Sequence, residues 1–164
     1  MNGANSHHWK EAMEREIETL KSNDTYTVTK LPDDKTAVGG KWVYTIKGDI
    51  ENPIYKARYV AKGFSQKEGI DFTETFSPTT RMESIRTIMQ LAVQNDWKID
   101  QMDVKGAYLH APIECDVYVK QPPGYEEHGS NFVWKLNKSL YGLKQSGRNW
   151  NNLLYEYLLG LEFK

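Results

Sequence analysis

Two short runs of alternating side chains, KWVYTIK (residues 41–47) and IYKARYVAK (residues 54–62), constrain the fold of this 164-residue chain most strongly. Successive side chains of a β-strand point to opposite faces, so a period of two predicts a strand. The segment between the runs, GDIENP, includes a glycine and a proline and is typical of a turn. Residues 41–62 are therefore predicted to form a β-hairpin.

The two faces of the predicted hairpin differ in chemistry, because one is aromatic and the other is basic. The basic face carries Lys41, Lys47, Lys56, Arg58 and Lys62. Two interpretations stay open. The face is either a solvated edge whose lysines discourage pairing with other chains, or a basic groove that attracts phosphate groups even though the net charge of the chain is −1.

Three further regions have apolar residues at helical spacing. They are residues 6–22, a segment that begins at a capping box formed by Thr80 and Glu83, and residues 148–159, which Gly160 ends. In the second helix the side chains predicted to pack inward are Ile85, Ile88, Met89, Ala92 and Val93. In the third they are Trp150, Leu153, Leu154, Tyr157 and Leu158.

Short strands are predicted elsewhere, at residues 26–31, 97–104, 117–119 and 132–136. Helices and strands therefore mix without a regular alternation of one with the other. This order favours an α+β fold with a largely antiparallel sheet and packed helices.

Composition excludes several classes of protein. No apolar run approaches the roughly 20 residues of a membrane helix, so no membrane partner is predicted. The N-terminus lacks the apolar region of a signal peptide, and we expect an intracellular, cytoplasmic chain. Cys115 is the only cysteine, which excludes an internal disulfide and a cysteine-based zinc site. The four histidines show no metal-ligand spacing.

One carboxylate stands out in the segment IDQMDVKGAYLH, residues 99–110. Asp103 lies between Met102 and Val104 at the predicted end of a strand, and the small residues that follow leave room for a ligand. Magnesium binds one or two carboxylates and fills its other positions with water and substrate phosphate. Asp103 is therefore either a magnesium ligand or an aspartate that caps the following turn.

Several blocks of sequence together resemble one family, the reverse transcriptase of copia-type LTR retrotransposons. The blocks are WKEAMEREIETLKSNDTY, GGKWVYTIK, YKARYVAKGFSQKEGIDFTETFSP, QMDVKGAYLHAPI, VYVKQPPGY and LNKSLYGLKQSGRNW. They cover almost the entire chain in the order of the family. KARYVAKGFSQ and SLYGLKQ are the most specific of them.

The resemblance implies a right-hand polymerase, with residues 1–96 as fingers and residues 97–164 as part of the palm. Asp103 would bind two magnesium ions with help from the carbonyl of Val104. Tyr108 would lie under the sugar of the incoming nucleotide, unless it is simply a core aromatic residue. Lys47 and Arg58 would grip the triphosphate. A second palm motif, beside the nascent base pair, would comprise Tyr141, Gly142, Lys144 and Gln145.

The resemblance also implies partners: an RNA or DNA primer–template, deoxynucleoside triphosphates and the rest of a Pol polyprotein. An element of this type acts in the cytoplasm, in virus-like particles or in the nucleus. Many relatives read Gln-Ala-Pro-Arg where this chain has Gln145-Ser146-Gly147-Arg148, a mild departure.

A larger departure concerns the remaining catalytic carboxylates. The family places them in a Tyr-x-Asp-Asp hairpin, and the 164 residues contain no such motif. One carboxylate does not hold two magnesium ions in the geometry of phosphoryl transfer. We therefore expect no polymerisation by this chain alone. The alternatives are a non-catalytic remnant that binds nucleic acid or protein, and a chain that does not fold stably.

Overall fold

The computed structural model of the chain describes residues 5–129 and 131–162. The predicted domain limits at residues 1 and 164 lie outside this part. Its three helices are α1 (Ser6–Ser22), α2 (Met82–Gln94) and α3 (Ser146–Gly160). Its strands are β1 (Tyr26–Lys30), β2 (Gly40–Lys47), β3 (Ile54–Ala61), β4 (Tyr118–Lys120) and β5 (Phe132–Leu136). Short 3₁₀ turns occur at Gly63–Ser65 and Ala107–His110.

The strands form two antiparallel sheets, which confirms the predicted α+β class. One sheet has the order β1-β5-β4, and the other is the hairpin of β2 and β3. In the hairpin Trp42 lies opposite Tyr59, and Val43 lies opposite Arg58. The register therefore separates an aromatic face from a basic face, as the alternation of the sequence predicts.

The core lies where the aromatic face of the hairpin meets the three-stranded sheet. Tyr59 and Trp134 are each 1% exposed, and their rings meet edge to face with centroids 5.4 Å apart. Tyr26 of β1 stacks on the other side of Trp134 at 3.8 Å. The aliphatic side chains buried in the same cluster include Ile17, Leu20, Leu109, Val119, Leu136 and Leu140. Apolar burial of this kind is the main favourable term in folding.

Helix α1 covers the outer edge of β3. Arg15 donates from Nη2 to the carbonyl of Tyr55 at 3.3 Å, and Glu16 Oε1 accepts the backbone N–H of Tyr59 at 3.3 Å. Ala12 and Met13 pack on Ala57 beneath these contacts. Unpaired strand edges invite association with other chains. The side chains of α1 therefore provide hydrogen-bond partners for backbone groups on the edge of β3, which would otherwise be exposed.

Two predicted features were wrong. Residues 97–104 form no strand, and every one of them is exposed. A strand needs a neighbour for its backbone groups, and no described strand lies beside this segment. The capping box is also absent: α2 begins one residue after Arg81, which occupies the N-cap position without a side-chain hydrogen bond.

The packing predicted for two helices also differs from the structure. On α2 only Ala92 is buried and Ile85 is half-buried, so Ile88, Met89 and Val93 face solvent rather than the core. On α3 Tyr157 is 64% exposed, whereas Trp150, Leu153, Leu154 and Leu158 are half-buried. Periodicity marks an apolar face, but only a neighbouring element can bury it.

A search of the described residues for a helix long and apolar enough to cross a membrane finds none.

The buried hydroxyl of Tyr59 links the two sheets, because it donates to the carbonyl of Lys120 in β4 at 2.6 Å. We predict that Tyr59→Phe lowers the free energy of unfolding by about 1–2 kcal/mol, since a carbonyl loses its partner. Urea denaturation measures this change. Tyr55→Phe is the control, since the hydroxyl of Tyr55 makes no hydrogen bond to the described residues. Equal losses in the two variants would contradict the role of the hydroxyl.

Candidate nucleotide-binding site

Three of the predicted site residues meet although they come from distant parts of the chain. The guanidinium carbon of Arg58, on β3, lies 4.6 Å from the ring centroid of Tyr141. The Tyr141 ring in turn lies 5.0 Å from the ring of Tyr108, which belongs to the 3₁₀ turn Ala107–His110. We refer to these three side chains as the Arg58–Tyr141–Tyr108 stack. A guanidinium over an aromatic face is held there by the ring quadrupole.

The loop of residues 141–145 brings Tyr141 to Arg58 because its backbone binds directly to β3. Ala61 donates its backbone N–H to the carbonyl of Tyr141 at 2.8 Å. Gly142 has φ +90°, and a Cβ atom there would overlap the carbonyl oxygen of Ala61. Gly63 similarly leaves room for the carbonyl of Gly142. These glycines therefore permit a backbone approach that any side chain would block.

Two buried glutamines complete this contact. Gln66 accepts the backbone N–H of Lys144 at its Oε1, at 2.8 Å, and donates from Nε2 to Oε1 of Gln145 at 3.0 Å. Gln145 donates onward from Nε2 to the carbonyl of Asp71 at 2.8 Å. Gln145 was a predicted site residue, but Gln66 was missed. The only sequence signal for Gln66 was its place in the block KARYVAKGFSQ.

Lys144 and Lys47 do not join the stack. The ammonium of Lys144 lies 4.7 Å from the ring centroid of Phe72. Lys47 pairs with Ile54 at the turn end of the hairpin, four residues along β3 from Arg58. At about 3.3 Å per residue the two positions are roughly 13 Å apart along the strand. Lys47 and Arg58 thus share a face without being neighbours.

The basic face of the hairpin has no ion pair within the described residues. Lys41, Lys47, Lys56 and Arg58 are exposed, and none has a carboxylate of residues 5–129 or 131–162 within salt-bridge distance. The charge of Arg58 acts on Glu16 of α1. Burial raises the pKa of the Glu16 carboxyl, although the N–H of Tyr59 and the charge of Arg58 oppose that rise.

Asp103 lies in the exposed segment between α2 and the 3₁₀ turn, five residues before Tyr108. Its carboxylate makes no hydrogen bond or ion pair to the part of the chain that the structure describes, and Gly106 rather than Asp103 occupies the N-cap of the turn. Asp103 therefore does not cap that turn. It is open to solvent, not buried in the core.

Comparison with known proteins gives this arrangement a family. A model of the family "Reverse transcriptase (RNA-dependent DNA polymerase)" matches residues 23–164. The chain belongs to this reverse transcriptase family. It is similar to the "Retrovirus-related Pol polyprotein from transposon TNT 1-94" of Nicotiana tabacum, with 51% identity over 142 residues, which is 85% of the chain. No solved structure matches.

Two relatives from Arabidopsis thaliana agree with this assignment. The chain is 43% identical to the Pol polyprotein from transposon RE1 and 40% identical to that from transposon RE2, in each case over 94% of its length. The predicted resemblance to copia-type retrotransposons is thereby confirmed. The chain spans only 11% of the length of each of these three polyproteins.

The described residues of this reverse transcriptase segment do not fit a complete two-metal site. Asp103 offers one carboxylate, and no other His, Cys, Asp or Glu side chain of residues 5–129 or 131–162 joins it in a group of three. The group that the structure does bring together is His7, His8 and Glu11, whose ligand atoms lie within 4.8 Å of one another. The sequence analysis missed this group. It is exposed, and it lies in the first two turns of α1, close to the N-terminal end where the helix dipole disfavours a cation.

The contribution of the close contact at Gly142 to stability can be measured separately from the contribution of its positive φ. Gly124 has nearly the same φ, +89°, but a Cβ atom there would meet nothing within 4 Å. Both Gly→Ala changes incur the conformational cost of a positive φ, about 1–2 kcal/mol. We predict that Gly142→Ala is more destabilising than Gly124→Ala by a further ~1–3 kcal/mol, because the loop must move away from β3. Urea denaturation of both variants tests this, and equal stabilities would contradict the close approach.

Proposed function

We propose that the chain is the nucleotide-binding part of a copia-type reverse transcriptase, made of the fingers and the first part of the palm. Its reaction in the complete polyprotein is RNA-directed DNA synthesis from deoxynucleoside triphosphates on a primer. The observation that carries this proposal is the convergence of Arg58, Tyr108 and Tyr141 beside an unpaired basic face. Guanidinium and lysine side chains suit phosphate oxygens, and aromatic rings suit sugars and bases.

Each group of the site has a proposed role. Arg58 binds phosphate of the incoming triphosphate or of the primer–template. Lys47, at the far end of the same face, contacts phosphate of the same ligands. Tyr108 supports the sugar, and its bulk excludes a 2′-hydroxyl. Gly142, Lys144 and Gln145 place the backbone of their loop beside the nascent base pair. The backbone of this loop, rather than the Lys144 ammonium, is what the contacts with Gln66 hold in place.

We propose that Asp103 is one magnesium ligand of the complete domain, with the carbonyl of Val104 beside it. The exposed loop leaves both groups accessible. When bound, magnesium supplies positive charge to the transferring phosphate. Because one carboxylate is too few for a pair of ions, we expect the other carboxylates to come from outside these 164 residues, and we expect no polymerisation by the chain alone.

The exposed apolar face of α2 supports a larger assembly. Ile88 is 60% exposed and Val93 is 80% exposed. In the following segment, Trp97 is 59% and Met102 is 91% exposed. Contiguous apolar surface of this kind marks an interaction site. We propose that the rest of the Pol polyprotein covers this face, since most of the length of the relatives lies outside the matched region.

The phosphate-binding role of Arg58 is tested with a fluorescent RNA–DNA primer–template. We expect the chain to bind it with an affinity that falls steeply with salt concentration, because cationic side chains that neutralise nucleic-acid phosphates release bound counterions. We predict that Arg58→Ala weakens binding about tenfold and lowers the slope of log affinity against log salt by about one. Fluorescence anisotropy at several salt concentrations measures both quantities.

Arg86→Ala is the matched control, since it removes the same charge from an exposed position on α2. An equal loss in both variants would show that only net charge matters and would contradict the site. Binding that is retained by a polyprotein unable to polymerise would favour the alternative of a non-catalytic nucleic-acid-binding remnant.

The metal role of Asp103 is tested in a Pol polyprotein that carries these residues. We predict that Asp103→Asn reduces magnesium-dependent primer extension to the background level, because the substituted amide is a neutral and weaker ligand. Asp100→Asn is the control, because Asp100 lies in the same exposed segment and, among the described residues, forms its one ion pair with Lys98 at 3.5 Å. Primer extension by the Asp103→Asn variant at the rate of the control would exclude the metal role.

A further inference from the structure

Gln66 is a buried polar side chain whose two hydrogen bonds both go to the nucleotide-binding loop. It is 6% exposed, and its partner Gln145 is 5% exposed. The Gln66 carboxamide accepts from Lys144 and donates to Gln145, which donates to the carbonyl of Asp71. The two side chains therefore form a directional chain from the backbone of residue 144 to the backbone of residue 71.

The direction of this chain is fixed by its two ends. The N–H of Lys144 can only donate, so the Gln66 oxygen must face it. The carbonyl of Asp71 can only accept, so the Gln145 nitrogen must face that carbonyl. The middle contact then joins the Gln66 nitrogen to the Gln145 oxygen, as observed at 3.0 Å. Reversing either amide would leave two acceptors or two donors face to face.

The same loop carries Tyr141, on which the Arg58 guanidinium lies. Its backbone is fixed to β3 at residue 141 and to Gln66 at residue 144. We propose that Gln66 is a positioning residue of the nucleotide-binding site: through Lys144 and Gln145 it sets the loop that holds Tyr141 under Arg58. The proposal rests on the proposed function, because it concerns how that site is kept ready for its ligand.

Gln66→Glu tests this with a minimal change in shape. An ionised carboxylate only accepts, so it can keep the bond from Lys144 but must oppose the oxygen of Gln145. A protonated carboxyl can again donate to Gln145 and accept from Lys144. Burial raises the pKa of a carboxyl at this position, which favours the protonated form in mild acid. The geometry is therefore expected to be lost at about pH 8 and restored at about pH 5.

Gln121→Glu is the matched control. Gln121 is 8% exposed and its carboxamide likewise both donates and accepts. Its partners are backbone groups of Glu127 and Phe132, outside the nucleotide-binding loop. The charged side chains on the segments that contact Gln66 occur in both variants; they are Lys62, Lys67, Asp71 and Lys144. These side chains are therefore common to the two variants that are compared.

The first measurement is the affinity of the full chain for the fluorescent primer–template at about pH 8 and about pH 5. We expect Gln66→Glu to bind about tenfold more weakly than Gln121→Glu at the higher pH, because a buried carboxylate oxygen would then face the oxygen of Gln145 with no proton between them. We expect the two affinities to converge at the lower pH. Equal affinities of the two variants at both pH values would overturn the proposal.

The second measurement needs no ligand. In nuclear magnetic resonance spectra, the non-exchanging Cδ protons of Arg58 are expected to be shifted upfield by the ring of Tyr141. We expect Gln66→Glu to lose this shift at about pH 8 and regain it at about pH 5, whereas Gln121→Glu keeps it at both. An unchanged shift in Gln66→Glu would overturn the positioning role. If the wild-type chain shows the shift but binds no primer–template, the proposed function fails and the positioning role of Gln66 for Arg58 is still decided.

Discussion

The backbone contact between the 141–145 loop and the end of β3 is the interaction on which the site depends. The N–H of Ala61 binds the carbonyl of Tyr141 at 2.8 Å, and Gly142 and Gly63 allow the two backbones to approach. About 80 residues separate these segments in the chain, so closing this loop costs conformational entropy. The buried core around Tyr59 and Trp134 offsets that cost. A polar contact at the site is thus maintained by apolar packing elsewhere.

Strand β3 has three structural roles, and each role belongs to a different set of its side chains or backbone groups. The inward side chains of β3, such as Tyr59, build the core. Its outward backbone groups bind α1 at one end and the 141–145 loop at the other. Its opposite face carries the exposed side chains of Lys56 and Arg58. Because one strand provides both the support and the cation, the position of the Arg58 backbone depends on the stability of the hairpin, whereas the 141–145 loop brings Tyr141 to the Arg58 guanidinium.

The segment that carries Asp103 has a different character. Asp103 lies in an exposed segment with no neighbouring strand, close in sequence to an α2 helix whose apolar face is also uncovered. The Arg58–Tyr141–Tyr108 stack is therefore assembled within these residues, whereas Asp103 makes no hydrogen bond or ion pair to the described residues. This difference has a physical reason. The former rests on the packed hairpin, whereas residues 97–104 are exposed and pair with no strand among residues 5–129 and 131–162.

The sequence by itself determined the hairpin, the separation of its aromatic and basic faces, and the helix Ser6–Ser22, because each follows from local periodicity. Motif resemblance pointed to the family and to residues such as Arg58, Tyr108 and Tyr141. Only the tertiary structure decided that these three side chains touch, that Lys47 lies apart from them, and that Gln66 supports the loop. It also decided that residues 97–104 form no strand. Those outcomes depend on which segments meet across long stretches of chain, and a local pattern carries no information about its distant neighbour.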